Sequence, residues 1–342
     1  MAIKVGINGF GRIGRLAFRL LAQDPQFDVV GINDLTDAET LAYLLKYDTA
    51  QGSFKVDSVS YEGSDLVVDG KSIPISAIRD PKELSWKALQ VDVVLECTGF
   101  FADEEKAGWH LEAGAKKVVI SAPAKGNVKT VAFNVNDDIL TGDEDIISGA
   151  SCTTNCLAPV AKALNDAFGI EKGFMTTVHA LTADQANVDG PHKKGIYARR
   201  GRASAFNIVP TSTGAAKAIG LVIPELKGRL DGTALRVPTL TGSIVDLTVE
   251  LQKPVTKEEV NAAVKAQESE TLKYLTDPIV SSDVIGTSYG SLFDSLATQI
   301  VEANGKQLVK VLAWYDNEMS YTSQLVRTVK KLASFINDLK NC

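Results

Sequence analysis

Cys152 and Cys156 stand four residues apart in ISGASCTTNCLAPV (147–160), where an apolar run gives way to a helix-like segment from Leu157 to Phe168. Three chemistries suit such a pair: a disulfide, half of a metal site, or one nucleophilic thiol beside a bystander. The third depends on position. A strand-to-helix turn at Gly149-Ala150-Ser151-Cys152 sets the Cys152 sulfur near a helix N-terminus, whose partial positive charge favours the nucleophilic thiolate. Cys156, one turn further on, lacks that field. Pro159 cannot donate to the carbonyl of Asn155, so a kink is expected there.

The candidate base is His179, in the strand-like run Thr176-Thr-Val-His-Ala-Leu. A histidine in a strand is usually structural, but a Cys–His pair is one of the few that works near neutral pH. His110 falls in a helical stretch with no evident role.

The third group is Gly9-Phe10-Gly11-Arg12-Ile13-Gly14, between the apolar run IKVGIN (3–8) and the helix-periodic RLAFRLLAQ, with FDVVGIND following. Gly9 permits the tight turn, Gly11 lets backbone approach a pyrophosphate, and Gly14 lets the helix pack close to the strand. Asp34 lies 20 residues beyond Gly14, where a carboxylate accepts from an adenosine ribose. Asn33-Asp34-Leu35-Thr36 offers no arginine for a 2′-phosphate, which points to NAD rather than NADP.

A nucleophilic thiol beside a nicotinamide has a specific use. It adds to an aldehyde to give a hemithioacetal whose hydride can leave, and the resulting thioester is released by water or phosphate.

The elements that must carry these groups differ between the two halves. In the first, apolar strands VDVVLECTGF (91–100) and KKVVISAP (116–123) flank the helical DEEKAGWHLEAGA (103–115), the pattern of a parallel sheet covered on both faces. Cys97 reads there as a buried small hydrophobe. After about residue 150 strands follow one another: KGFMTTVHAL, GTALRVPTL, GSIVDLTVELQ and SLATQIVEANGKQLVKVLAWYD. Asn304-Gly305 predicts a type I′ hairpin, and Thr256-Lys-Glu-Glu259 a capping box. A last helix, Tyr321 to about Leu339, carries Leu325, Val329, Leu332, Phe335 and Ile336 on one stripe. The expected fold is an α/β Rossmann-type doubly wound domain (1–150), an α+β catalytic domain with a mostly antiparallel sheet (151–317), and a C-terminal helix (318–342) packing back on the first. Residues 183–206 have neither periodicity and carry Lys193, Lys194, Arg199, Arg200 and Arg202, which suggests an anion site or a subunit interface.

Whole-chain properties narrow the choice. The 342 residues suit about two domains, and 45% hydrophobic with 23% charged residues describes a packed globular chain. The opening MAIKVGINGFGRIGR lacks a signal-peptide core, and no apolar stretch approaches the roughly 20 residues that cross a bilayer. A cytoplasmic protein with reduced thiols is therefore expected, which argues against the disulfide. A formal net charge of -6 disfavours general nucleic-acid binding. Cys97 and Cys342 have no paired spacing and the three histidines are scattered, so no metal is expected.

INGFGRIGR, ECTGFF, ISAPAKG, ASCTTNCLAP, TTVHALTADQ, PTSTGAAKAIGLVIPELKGRLDGTALRVP and WYDNE together make the chain resemble phosphorylating glyceraldehyde-3-phosphate dehydrogenases over essentially its whole length. The resemblance implies Cys152 as nucleophile, His179 as general base and oxyanion partner, and Cys156 as bystander. It implies that Thr182 and Arg236 hold the substrate phosphate, and that Ser151, Thr153, Thr213, Gly214 and Arg200 shape the site of the attacking inorganic phosphate, with Arg199 a rival for the last role. On the NAD side it implies Arg12 and Ile13 at the pyrophosphate, Asp34 at the ribose, Arg79 and Ser121 at the adenosine half, and Asn317 at the nicotinamide carboxamide. It also implies a glycolytic homotetramer acting on glyceraldehyde 3-phosphate. Leu181 and Met319-Ser320 depart from the family pattern without removing a reacting group. Erythrose-4-phosphate dehydrogenase is the competing enzyme, and an NAD-binding redox sensor with Cys156 as resolving thiol is the competing class.

Overall fold

The computed structural model describes residues 2–195 and 197–341, with 337–341 by backbone alone. The chain forms two compact units, one made of residues up to Ala150 together with those from Thr322, the other of Ser151–Tyr321.

In the first unit β1 (Ile3–Asn8) leads through the glycine turn into α1 (Arg12–Leu21) and β2 (Phe27–Asn33). There follow α2 (Ala38–Lys46), β3 (Val59–Glu62), β4 (Asp65–Val68), β5 (Lys71–Ser76), α3 (Trp86–Leu89), β6 (Val93–Glu96), α4 (Glu104–Glu112), β7 (Lys117–Ile120), β8 (Lys129–Thr130) and β9 (Ile146–Ser148). The strand order is β3-β4-β5-β2-β1-β6-β7-β9-β8. From β5 onward every pairing is parallel, whereas β3, β4 and β5 form an antiparallel meander at one edge. β1 has β2 on one side and β6 on the other, so the chain reverses direction across the sheet at the carboxyl end of β1. That crevice is where open α/β sheets bind ligands.

The strands read as apolar runs because both faces are covered: Val93, Val94, Leu95, Val118, Val119 and Ile120 are all fully buried. Asp37 and Asp103 cap α2 and α4 by accepting from the N–H groups of Thr40 and Lys106.

The second unit opens with α5 (Cys152–Phe168) and β10 (Ile170–His179). It continues through β11 (Val209–Ser212), α6 (Ala215–Val222), β12 (Leu230–Arg236), β13 (Ser243–Leu251), α7 (Lys257–Lys265), β14 (Leu272–Leu275), β15 (Ser291–Ala303), β16 (Lys306–Tyr315) and into α8 (Met319–Asn341). Its sheet order is β11-β12-β10-β13-β16-β15-β14, with β10–β12 and β14–β15 parallel and the other pairs antiparallel. The hairpin between β15 and β16 has Asn304 at φ +53° and Gly305 at φ +72°, the two left-handed residues of a type I′ turn. The Thr256–Glu259 capping box is formed.

α5 starts at Cys152 as expected and continues to Phe168 with Pro159 inside it, where the missing N–H leaves one ladder bond unmade. In α8, Leu325, Val329, Leu332 and Ile336 are buried, Phe335 lies against Gly142, and Lys330 pairs with Asp24 at 3.1 Å. No described helix is long and apolar enough to cross a membrane.

Between Leu181 and Ile208 the described chain has one short 3-10 turn, Arg199–Gly201. It is nonetheless folded on itself: the Ala186 N–H donates to Arg200 O at 3.0 Å and the Gly190 N–H to Gly201 O at 2.8 Å.

Candidate functional site

The thiol sits where a helix begins. Ser151 is the N-cap of α5, its Oγ accepting the Thr154 N–H at 3.2 Å, and Cys152 is the first helical residue. Ala150, just before, is held at φ +59°, a conformation costing a non-glycine residue about 1 kcal/mol.

His179 closes β10 with its Nε2 3.4 Å from the Cys152 sulfur. β12 runs parallel beside it, with Arg236 in register with His179. Arg236 Nη1 lies 2.8 Å from His179 Nδ1 and 3.2 Å from both Ala180 O and Thr182 Oγ1. His179 Nδ1 is also 2.8 Å from Ala180 O. One nitrogen cannot donate to a carbonyl and accept from a guanidinium at once, so two proton arrangements exist. With Nδ1–H on Ala180 O, Nε2 turns a lone pair to the sulfur and acts as a base. With Arg236 donating to Nδ1, the proton sits on Nε2 and can be given to a thiolate or an oxyanion.

Burial is the larger electrostatic influence. It pushes the Cys152 thiol up, against the pull of Arg236, and it holds His179 down at about 3, with Arg236 acting the same way. Desolvation thus works against the thiolate that the helix end favours. Either charge alone is disfavoured at this position. A thiolate and an imidazolium 3.4 Å apart compensate each other, so a proton passing from sulfur to ring as the sulfur attacks is the accessible route.

The phosphate candidates join the same cluster. Thr182 Oγ1 donates to Asp184 Oδ1 at 2.5 Å, and Asp184 pairs with Arg200. A continuous chain thus runs Cys152, His179, Arg236, Thr182, Asp184, Arg200. Arg199 is exposed and outside it. Thr213 and Gly214 open α6, with Thr213 Oγ1 accepting the Ala215 N–H at 3.2 Å, and α6 packs on α5.

Several supporting groups gave no signal in the sequence. The buried Tyr315 hydroxyl lies 2.9 Å from Thr153 Oγ1 and 2.7 Å from Thr177 Oγ1, with its ring edge-on to His179, tying the first turn of α5 to β10. Asn317 Oδ1 accepts from the Ser243 hydroxyl at 2.9 Å, which leaves its Nδ2 to donate elsewhere. Asp184 has no mark of its own in the sequence, and its place between Thr182 and Arg200 comes from the fold.

In the first unit a pocket of about 620 Å³ lies at the carboxyl ends of the central strands and is lined by Gly9, Gly11, Asp34, Arg79, Cys97 and Thr98, among others. Two of the three glycines are required by the backbone, and the third faces open space. Gly9 has φ +91°, an added Cβ on Gly14 would stand 2.1 Å from Gly9 O, and one on Gly11 would meet nothing within 4 Å, leaving open space for a ligand. A dinucleotide therefore fits. Asp34 Oδ2 accepts the Phe10 N–H at 2.7 Å, so this carboxylate also pins the glycine turn. Arg12 and Ile13 form the first turn of α1, where a helix offers N–H groups to an anion. The Arg12 guanidinium itself is paired with buried Asp48 at 2.5 Å. The Ser121 hydroxyl meets Cys97.

Cys97, Cys152 and Cys156 are free thiols, and Cys342 lies outside the described residues. Cys156 is fully buried against Ser291 Oγ, Ala313 O and Trp314 O, and burial pushes its thiol up, as it pushes Cys97 up to about 12. Among the described residues no cluster suits a metal ion. Iodoacetamide at neutral pH should therefore modify Cys152 at least about 10-fold faster than Cys156 or Cys97, as peptide mapping can read; equal rates would sink the assignment of the reactive thiol.

Residues 3–104 match the family model described as glyceraldehyde 3-phosphate dehydrogenase, NAD binding domain, and residues 151–317 match its C-terminal domain. The glyceraldehyde-3-phosphate dehydrogenase of Clostridium pasteurianum is 61% identical over 330 residues, covering 96% of this chain and 98% of the relative. That of Streptococcus pyogenes serotype M1 is 60% identical over 334 residues, covering 97% and 99%.

Proposed function

Because the chain belongs to the glyceraldehyde 3-phosphate dehydrogenase family, we propose that it oxidises D-glyceraldehyde 3-phosphate with NAD and phosphorylates the product, giving 1,3-bisphosphoglycerate. The observation that carries this reading is the Cys152–His179 pair, 3.4 Å apart at a helix N-terminus and continuous with Arg236 and Thr182.

Cys152 Sγ attacks the aldehyde carbon while its proton passes to His179 Nε2, which then donates to the developing oxyanion. NAD, when bound, supplies the hydride acceptor. His179 takes back the hydroxyl proton as the carbonyl re-forms, leaving an acyl thioester on Cys152. Inorganic phosphate attacks that carbonyl, the C–S bond breaks, and the sulfur leaves as thiolate. One aldehyde, one NAD and one phosphate become one acyl phosphate, one NADH and one proton.

Thr182 and Arg236 hold the phosphate of the substrate. Ser151, Thr153, Thr213, Gly214 and Arg200 receive the attacking phosphate, which must displace Asp184 from Arg200. Asp34 takes the adenosine ribose, Arg12 and Ile13 the pyrophosphate, Arg79 and Ser121 the adenosine half, and Asn317 Nδ2 the nicotinamide carboxamide. In this reading residues 1–150 bind NAD, 151–317 carry the chemistry, and 318–342 return to the first domain. The reaction belongs to glycolysis and gluconeogenesis, in the cytoplasm, and the working form is a homotetramer.

The test is NADH absorbance with glyceraldehyde 3-phosphate and NAD, with and without inorganic phosphate or arsenate. Steady turnover only with the oxyanion is expected; equal turnover without it would indicate a hydrolytic dehydrogenase. Erythrose 4-phosphate as a faster substrate would transfer the assignment to that enzyme.

A further inference from the structure

Beneath the pocket of the first unit lies a carboxylate with no solvent access. Glu96 ends β6, and its side chain is completely buried, as is that of His110 on α4. Four donors converge on its two oxygens. Oε2 accepts from Asn8 Nδ2 at 2.6 Å and from His110 Nε2 at 3.0 Å, while Oε1 accepts the Thr98 N–H at 2.8 Å and the Thr98 hydroxyl.

The direction of the bonds through His110 and Asn8 is forced from the two ends. An indole N–H can only donate, and Trp86 Nε1 lies 3.0 Å from His110 Nδ1, so the ring proton of His110 sits on Nε2 and faces Glu96. At the other end the Ile78 N–H and the Ser76 hydroxyl, each 2.9 Å away, donate to Asn33 Oδ1. Asn33 Nδ2 then donates to Asn8 Oδ1 at 2.7 Å, which leaves Asn8 only its Nδ2 for Glu96. Asn8 Nδ2, His110 Nε2 and the Thr98 N–H can only donate to it. A buried carboxylate costs several kcal/mol to desolvate unless it is fully satisfied, so this arrangement is one the fold could have avoided with an apolar residue.

What the network holds is the pocket. Asn8, Asn33, Ile78 and Thr98 all line it. The Thr98 nitrogen lies 2.8 Å from where a Cβ on Gly9 would stand, so Thr98 also sets the height of the glycine turn. We propose that Glu96 is a positioning residue for the cofactor: it fixes Asn8 and Thr98, and through Asn8 also Asn33, in the single arrangement that receives the adenosine half of NAD. The proposal rests on the reading that this pocket takes NAD, and it gives His110 and Trp86 a role as the outer anchor of that arrangement.

Glu96→Gln is the direct test, because it keeps the shape and replaces one oxygen by an amide that must face donors. Asn8 cannot turn without losing Asn33, nor His110 change tautomer without opposing Trp86. Titration calorimetry on the intact protein with ADP-ribose and with NAD should show both dissociation constants raised about 10-fold or more. The rate at saturating NAD and the alkylation rate of Cys152 should stay near those of the parent. Val94→Ala, a cavity in the same strand with no polar contact, serves as the stability control: it should lower the melting temperature yet leave ADP-ribose binding within about 3-fold. Should Glu96→Gln not fold, Thr98→Val removes one donor and must still weaken ADP-ribose binding. Unchanged ADP-ribose affinity in Glu96→Gln or Thr98→Val, or equal weakening in Val94→Ala, overturns the proposal. A parent protein that binds neither ligand overturns the functional reading and this inference with it.

Discussion

Replacing Cys152 by serine should cut NADH formation on the order of 10⁴-fold or more, because the hydroxyl is a far weaker nucleophile and the covalent route cannot be taken in part. The loss should fall on turnover. ADP-ribose should bind the pocket of the first unit as before, since none of that pocket's lining belongs to α5. The companion variant Cys156→Ser should keep its rate within a few-fold, its sulfur being enclosed by Ser291, Ala313 and Trp314. Appreciable steady turnover by Cys152→Ser, or a comparable loss in Cys156→Ser, would remove the thioester from the mechanism.

The second large effect belongs to His179→Asn, which removes both the acceptor of the thiol proton and the donor to the oxyanion. Loss of a general base costs about 10²–10⁴-fold, here expected in the rate of acylation. A stability signature should accompany it. His179 is held down at about 3, chiefly by burial and next by Arg236, whereas an unfolded histidine titrates near 6.5. Between those values the unfolded chain binds a proton that the folded chain refuses, so stability rises with pH there. It is therefore complete above about 6.5 and lost as pH falls towards 3, by on the order of a few kcal/mol. His179→Asn lacks this contribution, and its urea midpoint should fall less between pH 7 and pH 4.5 than that of the parent. An equal fall in the two proteins would mean that His179 is not buried as a neutral ring.

The sequence made local geometry readable wherever a residue type answers a backbone demand. Gly9 takes the left-handed turn and Gly14 the close approach that their spacing implied, and Asn304-Gly305 makes the expected turn. The candidate thiol and imidazole were visible because so few residue types carry that chemistry. What stayed hidden are pairings that only the tertiary fold creates. Tyr315 meets Thr177 across 138 positions, and Glu96 meets Asn8 across 88. The parallel alignment of β10 with β12 was equally out of reach, since α6 and the irregular segment before it lie between the two strands. Burial was the most consequential gap. A helix N-terminus can be read from a motif, but the desolvation of the thiol placed there cannot, and it pushes Cys152 up.

His179 and Arg236 are spaced by the ladder of two neighbouring strands, whereas Thr182, Asp184 and Arg200 ride on the irregular stretch between Leu181 and Ile208. The two groups are thus exposed unequally to damage. A protease cut or a thermal excursion that opens this stretch would strip away the Asp184–Arg200 clamp while the strands still hold imidazole and guanidinium together. Ageing protein would then pass through a form that has stopped producing acyl phosphate but still carries a thiol beside its imidazole.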